Sequence, residues 1–112
     1  MMSNQTLETT MENMKFPRVT KEQIEGRIDK ITFFILPDTT TTICNMTLDN
    51  GYSVRGESAC VDKRNFNMAI GEKLAHDDAF RKMWALFGFM LAENTHNAAL
   101  RKAGNPATVP PA

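Results

Sequence analysis

Apolar residues fall at three spacings along this chain, and each spacing predicts an element. In "RVTKEQIEGRIDKI", Ile24, Ile28 and Ile31 recur at i, i+4 and i+7, the stripe of an amphipathic helix. Thr20, with Gln23 three residues later, forms a capping box to start it, and Val19 can staple onto Ile24. Gly26 weakens so short a helix, so packing must hold it. "ITFFIL" is β-branched and aromatic and stops at Pro37-Asp38, a strand closed by a turn. "TTTTICNMTL" alternates, with Thr42, Cys44, Met46 and Leu48 on one face and Ile43, Asn45 and Thr47 on the other. After Asn50-Gly51, Tyr52, Val54 and Gly56 alternate against Ser53 and Arg55.

Parity chooses between two turns. A two-residue Asn50-Gly51 loop would set Met46 against Arg55, mixing apolar rows with polar ones. A three-residue loop, Asp49-Asn50-Gly51, pairs Leu48 with Tyr52, Met46 with Val54 and Cys44 with Gly56. A one-residue slip flips every side chain, so the three-residue loop is expected, with Gly51 in its left-handed position.

From residue 65 to 94 the period becomes helical. Phe66, Ile70 and Leu74 make one stripe; Phe80, Met83, Trp84, Phe87, Met90 and Leu91 make a wider second one that reads as core. Asp77-Asp78 between them opens a second helix or marks a bend. The expected fold is α+β: a small antiparallel sheet of about three strands, an N-terminal helix, and one long or two consecutive C-terminal helices. Residues 1–15 and 95–112 lack apolar periodicity and read as flexible tails, leaving 16–94 as a single domain. A core drawn from so few residues is marginal alone, and self-assembly is a common remedy.

Charge narrows the function classes. Lys and Arg total 13 and Asp and Glu total 13, with none of the basic excess that gripping a nucleic-acid polymer requires. No apolar run reaches membrane-spanning length. Cys44 and Cys60 follow no signal peptide and read as reduced thiols, so a soluble intracellular protein is expected.

The chemistry is sparse. Gly56-Glu57-Ser58-Ala59-Cys60 half-matches a nucleophile elbow but lacks its last glycine and its parallel sheet. A serine nucleophile needs a base, and only His76 and His96 exist. Cys44, Cys60, His76 and Asp77 show none of the paired spacings of zinc sites. No catalytic set, metal or cofactor is expected. Arg27, Arg55, Lys63, Arg64 and Arg81 read first as solvated charges and second as a phosphate grip. Tyr52 either closes the cross-strand pair with Leu48 or stacks on a planar base. Phe89, off the tryptophan stripe, suits a subunit contact.

Certain residues go beyond composition: Thr42, Cys44, Met46 and Leu48, Asn50-Gly51-Tyr52, Val54, Gly56, Ser58-Ala59-Cys60-Val61, Asn65-Phe66, Ile70-Gly71, Lys73, Ala75, Trp84 and Gly88-Phe89. In this order they resemble the small tailed-phage gene-49/gene-66-like family over about residues 18–93. That family is similar to the first Thoeris anti-defence protein, a phage sponge. The resemblance implies a hexameric, non-enzymatic protein of the host cytoplasm. It would sequester cyclic ADP-ribose-type signals made by bacterial TIR enzymes, and some relatives also capture cyclic oligonucleotides. It further implies that Arg27 and Arg81 hold phosphates, Tyr52 stacks on adenine and Asp62 faces ribose hydroxyls, beside Arg55 from the composition reading. Tyr52 stands where the sponges carry Phe, and Asp62 where they carry an amide; a carboxylate would repel a nearby phosphate. The alternative is an accessory protein that docks a host protein through an exposed helix face.

Overall fold

The computed structural model describes residues 17–104 of the 112. Helix α1 (Lys21–Arg27) leads into strands β1 (Ile28–Ile35), β2 (Thr41–Leu48) and β3 (Ser53–Ala59). A 3-10 turn (Lys63–Asn65) and a long helix α2 (Met68–Lys102) complete the order. The strands form one antiparallel sheet in the order β1-β2-β3, and α2 lies across β3 and β2. This is the α+β arrangement expected, with one C-terminal helix rather than two.

The capping box forms: Gln23 N donates to Thr20 Oγ1 at 3.1 Å and Thr20 N to Gln23 Oε1 at 3.0 Å. The helix it starts ends earlier than the stripe suggested. Ile28 and Ile31 belong to β1, and Ile24 is the buried residue of α1. Seven residues hold little helix by themselves, and pairing Ile28 with Leu48 and Ile31 with Met46 in the sheet wins.

The hairpin has the three-residue loop. Met46 pairs with Val54 and Cys44 with Gly56; Leu48 N donates to Tyr52 O at 2.8 Å, and Gly51 sits at φ +91°. Thr42, Cys44, Met46 and Leu48 are all buried on the helix-covered face. Burial pushes the Cys44 thiol up to about 11, which leaves it protonated and unreactive.

The helix face that packs on the sheet shares Met83 and Phe87 with the second predicted stripe, with Phe80 and Met90 partly buried beside them, and differs from the first. It is Gly71, Ala75, Ala79, Met83 and Phe87, every fourth residue, while Ile70, Leu74 and Trp84 are exposed. The cause lies at Gly56: a Cβ there would run into Ala79 N and Ala75 O, backbone atoms of α2. Only small side chains let a helix come this close, so around this contact the face is Gly71, Ala75 and Ala79, and the larger Ile70 and Leu74 lie off it. Asp77 and Asp78 do not break the helix. Lys73 Nζ donates to Asp77 at 2.8 Å, Arg81 Nη2 to Asp78 at 2.9 Å, and Glu57 N to Asp78 at 3.0 Å, tying α2 to β3. These donors hold both carboxyls below the ordinary carboxylate range, first Lys73 for Asp77 and first Arg81 for Asp78.

The first part of the segment 95–112 is helical. Helix α2 runs on to Lys102, Asn97 is buried, and Ala98, Ala99, Leu100, Arg101 and Lys102 supply helix propensity without an apolar stripe. Residues 1–15 and 105–112, read as tails, and residue 16, read as the start of the domain, lie outside the described residues. Among the described residues no helix is long and apolar enough to cross a membrane.

Among the described residues two buried side-chain atoms, Arg18 Nε and Thr42 Oγ1, are unsatisfied. Thr42 Oγ1 is shielded from solvent and meets no hydrogen-bond partner, lying where a Cβ on Gly71 would be 2.6 Å away. Thr42→Val removes that hydroxyl at nearly constant shape and is expected to raise stability by about 1 kcal/mol in urea unfolding. A loss of stability would show that the hydroxyl has a partner.

Candidate ligand-binding site

The chain turns at the β2–β3 hairpin, and three of the candidate residues gather there. Arg27, the last residue of α1, is stitched to the loop: Asp49 N donates to Arg27 O at 2.9 Å, and Arg27 Nε meets both Asp49 carboxylate oxygens at 2.8 and 2.9 Å. Tyr52 follows the loop, its N–H donating to Asn50 Oδ1 at 3.0 Å and its side chain 56 % exposed. It closes the hairpin with Leu48 through the backbone and leaves the ring free to stack. Tyr52 and Arg55 share a hollow of about 580 Å³ with Lys82, a size that suits a small ligand. Lys82 Nζ donates to Arg55 O at 2.8 Å, while Arg55 Nη1 reaches Ser53 Oγ at 3.0 Å and Asn45 Oδ1 at 3.3 Å. Lys82 was missed by the sequence reading, because only the packing of α2 on β3 brings it to the hairpin.

The other two candidates lie elsewhere in the chain. Asp62 follows β3, whose seven residues put it at least about 20 Å from Tyr52. It caps the 3-10 turn, accepting from Arg64 N at 2.9 Å and Arg64 Nη2 at 2.7 Å, and Arg64 holds its carboxyl below the ordinary range. Arg81 is paired with Asp78 and lines a separate hollow of about 670 Å³ between α1, β1 and α2. A single chain therefore brings Tyr52 and Arg55 to one hollow, ties Arg27 to the same loop through Asp49 while Arg27 lines a different hollow with Gln23, Phe87 and Met90, and separates all three from Asp62 and Arg81.

The elbow-like segment has a structural use. Gly56 is where α2 touches the sheet. Ser58 lines a small hollow of about 160 Å³ with Cys60 and Asn67, whereas His76 lines a different one and His96 is exposed near the end of α2. Cys60 Sγ donates to Asp62 O at 3.1 Å, and Thr40 Oγ1 donates to Cys60 O, fixing the exit of β3. Among the described residues no group of His, Cys, Asp and Glu could hold a metal ion.

A family model described as phage protein (N4 Gp49/phage Sf6 gene 66) matches residues 19–95. The chain belongs to this phage protein family. The family region runs from the residue before the α1 cap through most of α2, so it includes the hairpin cluster, Asp62 and Arg81. No curated protein and no solved structure matches the chain.

Proposed function

We propose that this phage family member binds a cyclic ADP-ribose-type nucleotide, of the kind bacterial Thoeris TIR enzymes make, and holds it uncleaved in the host cytoplasm. What supports the reading, beside the family resemblance, is the hollow that Tyr52, Arg55 and Lys82 share at the hairpin, with Arg27 tied to the same loop through Asp49. An exposed ring offers a stacking surface for adenine, and the cations offer donors for the two phosphates. Arg27 is balanced by Asp49 in the free chain, so a phosphate would compete with that carboxylate. Asp62 and Arg81 would reach the ligand from another copy of the chain, in an assembly that the resemblance sets at six. Sequestration asks only for affinity, so these roles need no general base and no transition-state contact.

Tyr52→Ala is expected to weaken binding of a cyclic ADP-ribose by at least about tenfold in calorimetry, the loss of one stacked base. Tyr52→Phe keeps the ring and should bind as the parent does. Equal affinity of Tyr52→Ala and the parent would remove the hairpin end as the site. The second reading, capture of a host protein, draws on Phe89, 65 % exposed on α2. It predicts no stabilisation by any of these nucleotides.

A further inference from the structure

We infer that the hollow between the entry to α1 and the C-terminal half of α2 is a binding site for a small amphiphilic anion, one negative head group on an apolar body. The hollow measures about 570 Å³, room enough for such a molecule. Val19, Met90 and Leu91 give it a half-buried apolar lining, with the buried Phe87 beside them. Its charged groups are Arg18 and Arg27, and among the described residues no carboxylate lines it. Arg27 is answered from outside the hollow by Asp49, whose two oxygens meet its Nε. Arg18 is answered by nothing: among the described residues its side chain has no ion pair and no hydrogen bond. Its Nε is also shielded from water, so the chain bears the cost of burying that N–H without an internal bond. A guanidinium left unpaired beside an apolar lining is matched by the head and the body of an amphiphilic anion.

Charge selects the ligand. With Arg27 balanced by Asp49, one uncompensated cation remains, which suits a monoanion. The two phosphates of a cyclic ADP-ribose would leave a negative charge unmatched here. Phe87, only 6 % exposed, gives no open ring on which to stack a base. Polar groups complete the rim. Asn94 is exposed on α2, and Gln23, whose Oε1 accepts from Thr20 N, has its amide nitrogen left to donate to a head group. Tyr52 and Arg55, proposed for the nucleotide, line the separate hairpin hollow. The two sites share Arg27 alone, so Arg18 and Asn94 carry the test.

Two fluorescent probes of similar shape separate charge from apolar contact: anilinonaphthalene sulfonate, a monoanion, and phenylnaphthylamine, its uncharged counterpart. Full-length chain is expected to bind the monoanion saturably. Arg18→Met keeps an apolar stem and should weaken that binding at least about tenfold, the loss of a charged hydrogen bond. It should leave the neutral probe unaffected and stability in urea no lower, which a structural role for Arg18 would not allow. Asn94→Asp, isosteric and at an exposed position, should likewise weaken the monoanion alone. Octanoate and naphthoate then compete for the hollow. Displacement by the first assigns an aliphatic body and by the second an aromatic one; displacement by neither would overturn the inference. So would binding that both variants leave intact, an adventitious additive only, or binding lost in Tyr52→Ala, which places the probe at the hairpin. Displacement by cyclic ADP-ribose would make the hollow part of the nucleotide site and overturn it as well. Monoanion binding by a chain that retains no cyclic ADP-ribose removes the proposed function alone. Nucleotide retention by a chain that binds no monoanion removes this site alone.

Discussion

Gly56→Ala is expected to lower the unfolding free energy by about 3 kcal/mol, at the upper end of what overpacking costs. The reason is the identity of the obstructing atoms. The new methyl would meet Ala79 N and Ala75 O and come within 2.8 Å of Ala79 Cα, all of them backbone of α2. A flexible side chain could rotate away; a helix backbone cannot. Helix α2 must lift, and Met83 and Phe87, on the same face, then lose part of their packing on the sheet. A stability of about 0.05–0.15 kcal/mol per residue makes this loss a large share of the total. Gly71→Ala is a useful contrast, since its closest neighbour is the Thr42 side chain rather than backbone. Urea unfolding checks both, and a Gly56→Ala loss below about 1 kcal/mol would show that the helix contact is looser than described.

Met83→Ala is expected to cost a similar amount, about 3 kcal/mol, by the opposite mechanism. Met83 is fully buried among Ile24, Cys44, Met46 and Leu48, and truncation leaves a cavity between α2 and the sheet. Alanine retains helix propensity, so the loss reads packing rather than helix formation. Met83→Leu keeps most of the volume and should cost less than about 1.5 kcal/mol. Equal losses for the two variants would mean that shape at this position matters more than volume.

Parts of this fold were legible because a local rule admitted one answer. The hairpin register followed from parity alone, since either neighbouring register mixes apolar and polar rows. The Thr20–Gln23 box marked the start of α1 correctly. The end of α1 was not legible: Ile24, Ile28 and Ile31 satisfy a helical period, and only pairing with Leu48 and Met46 moves the latter two into a strand. Met83 and Phe87 were legible as core, but the first half of the buried face of α2 was hidden for a related reason. Apolar periodicity weighs large side chains, whereas contact at Gly56 selects Gly71, Ala75 and Ala79. Their spacing at every fourth position was the available signal.

The site divides in the same way. Residue types that suit phosphate and base contacts could be picked from the chain, but which of them meet depends on the hairpin and on α2. Asp49 as partner of Arg27, and Lys82 beside Tyr52, are products of tertiary packing. Much of the family-like pattern also proves structural: Asn50-Gly51 turns the hairpin, Gly56 admits the helix, and Cys60 and Thr40 anchor the exit of β3. Family membership follows from such residues more readily than a ligand does.

The most direct measurement is retention. Purified protein is mixed with cyclised ADP-ribose, free nucleotide is removed by filtration, the protein is denatured by heat, and the released material is identified by mass spectrometry. The account predicts recovery of the intact nucleotide in fixed proportion to protein, with retention greatly reduced for Tyr52→Ala. Recovery of a cleaved nucleotide would make the protein an enzyme, and recovery of none would contradict sequestration of this signal.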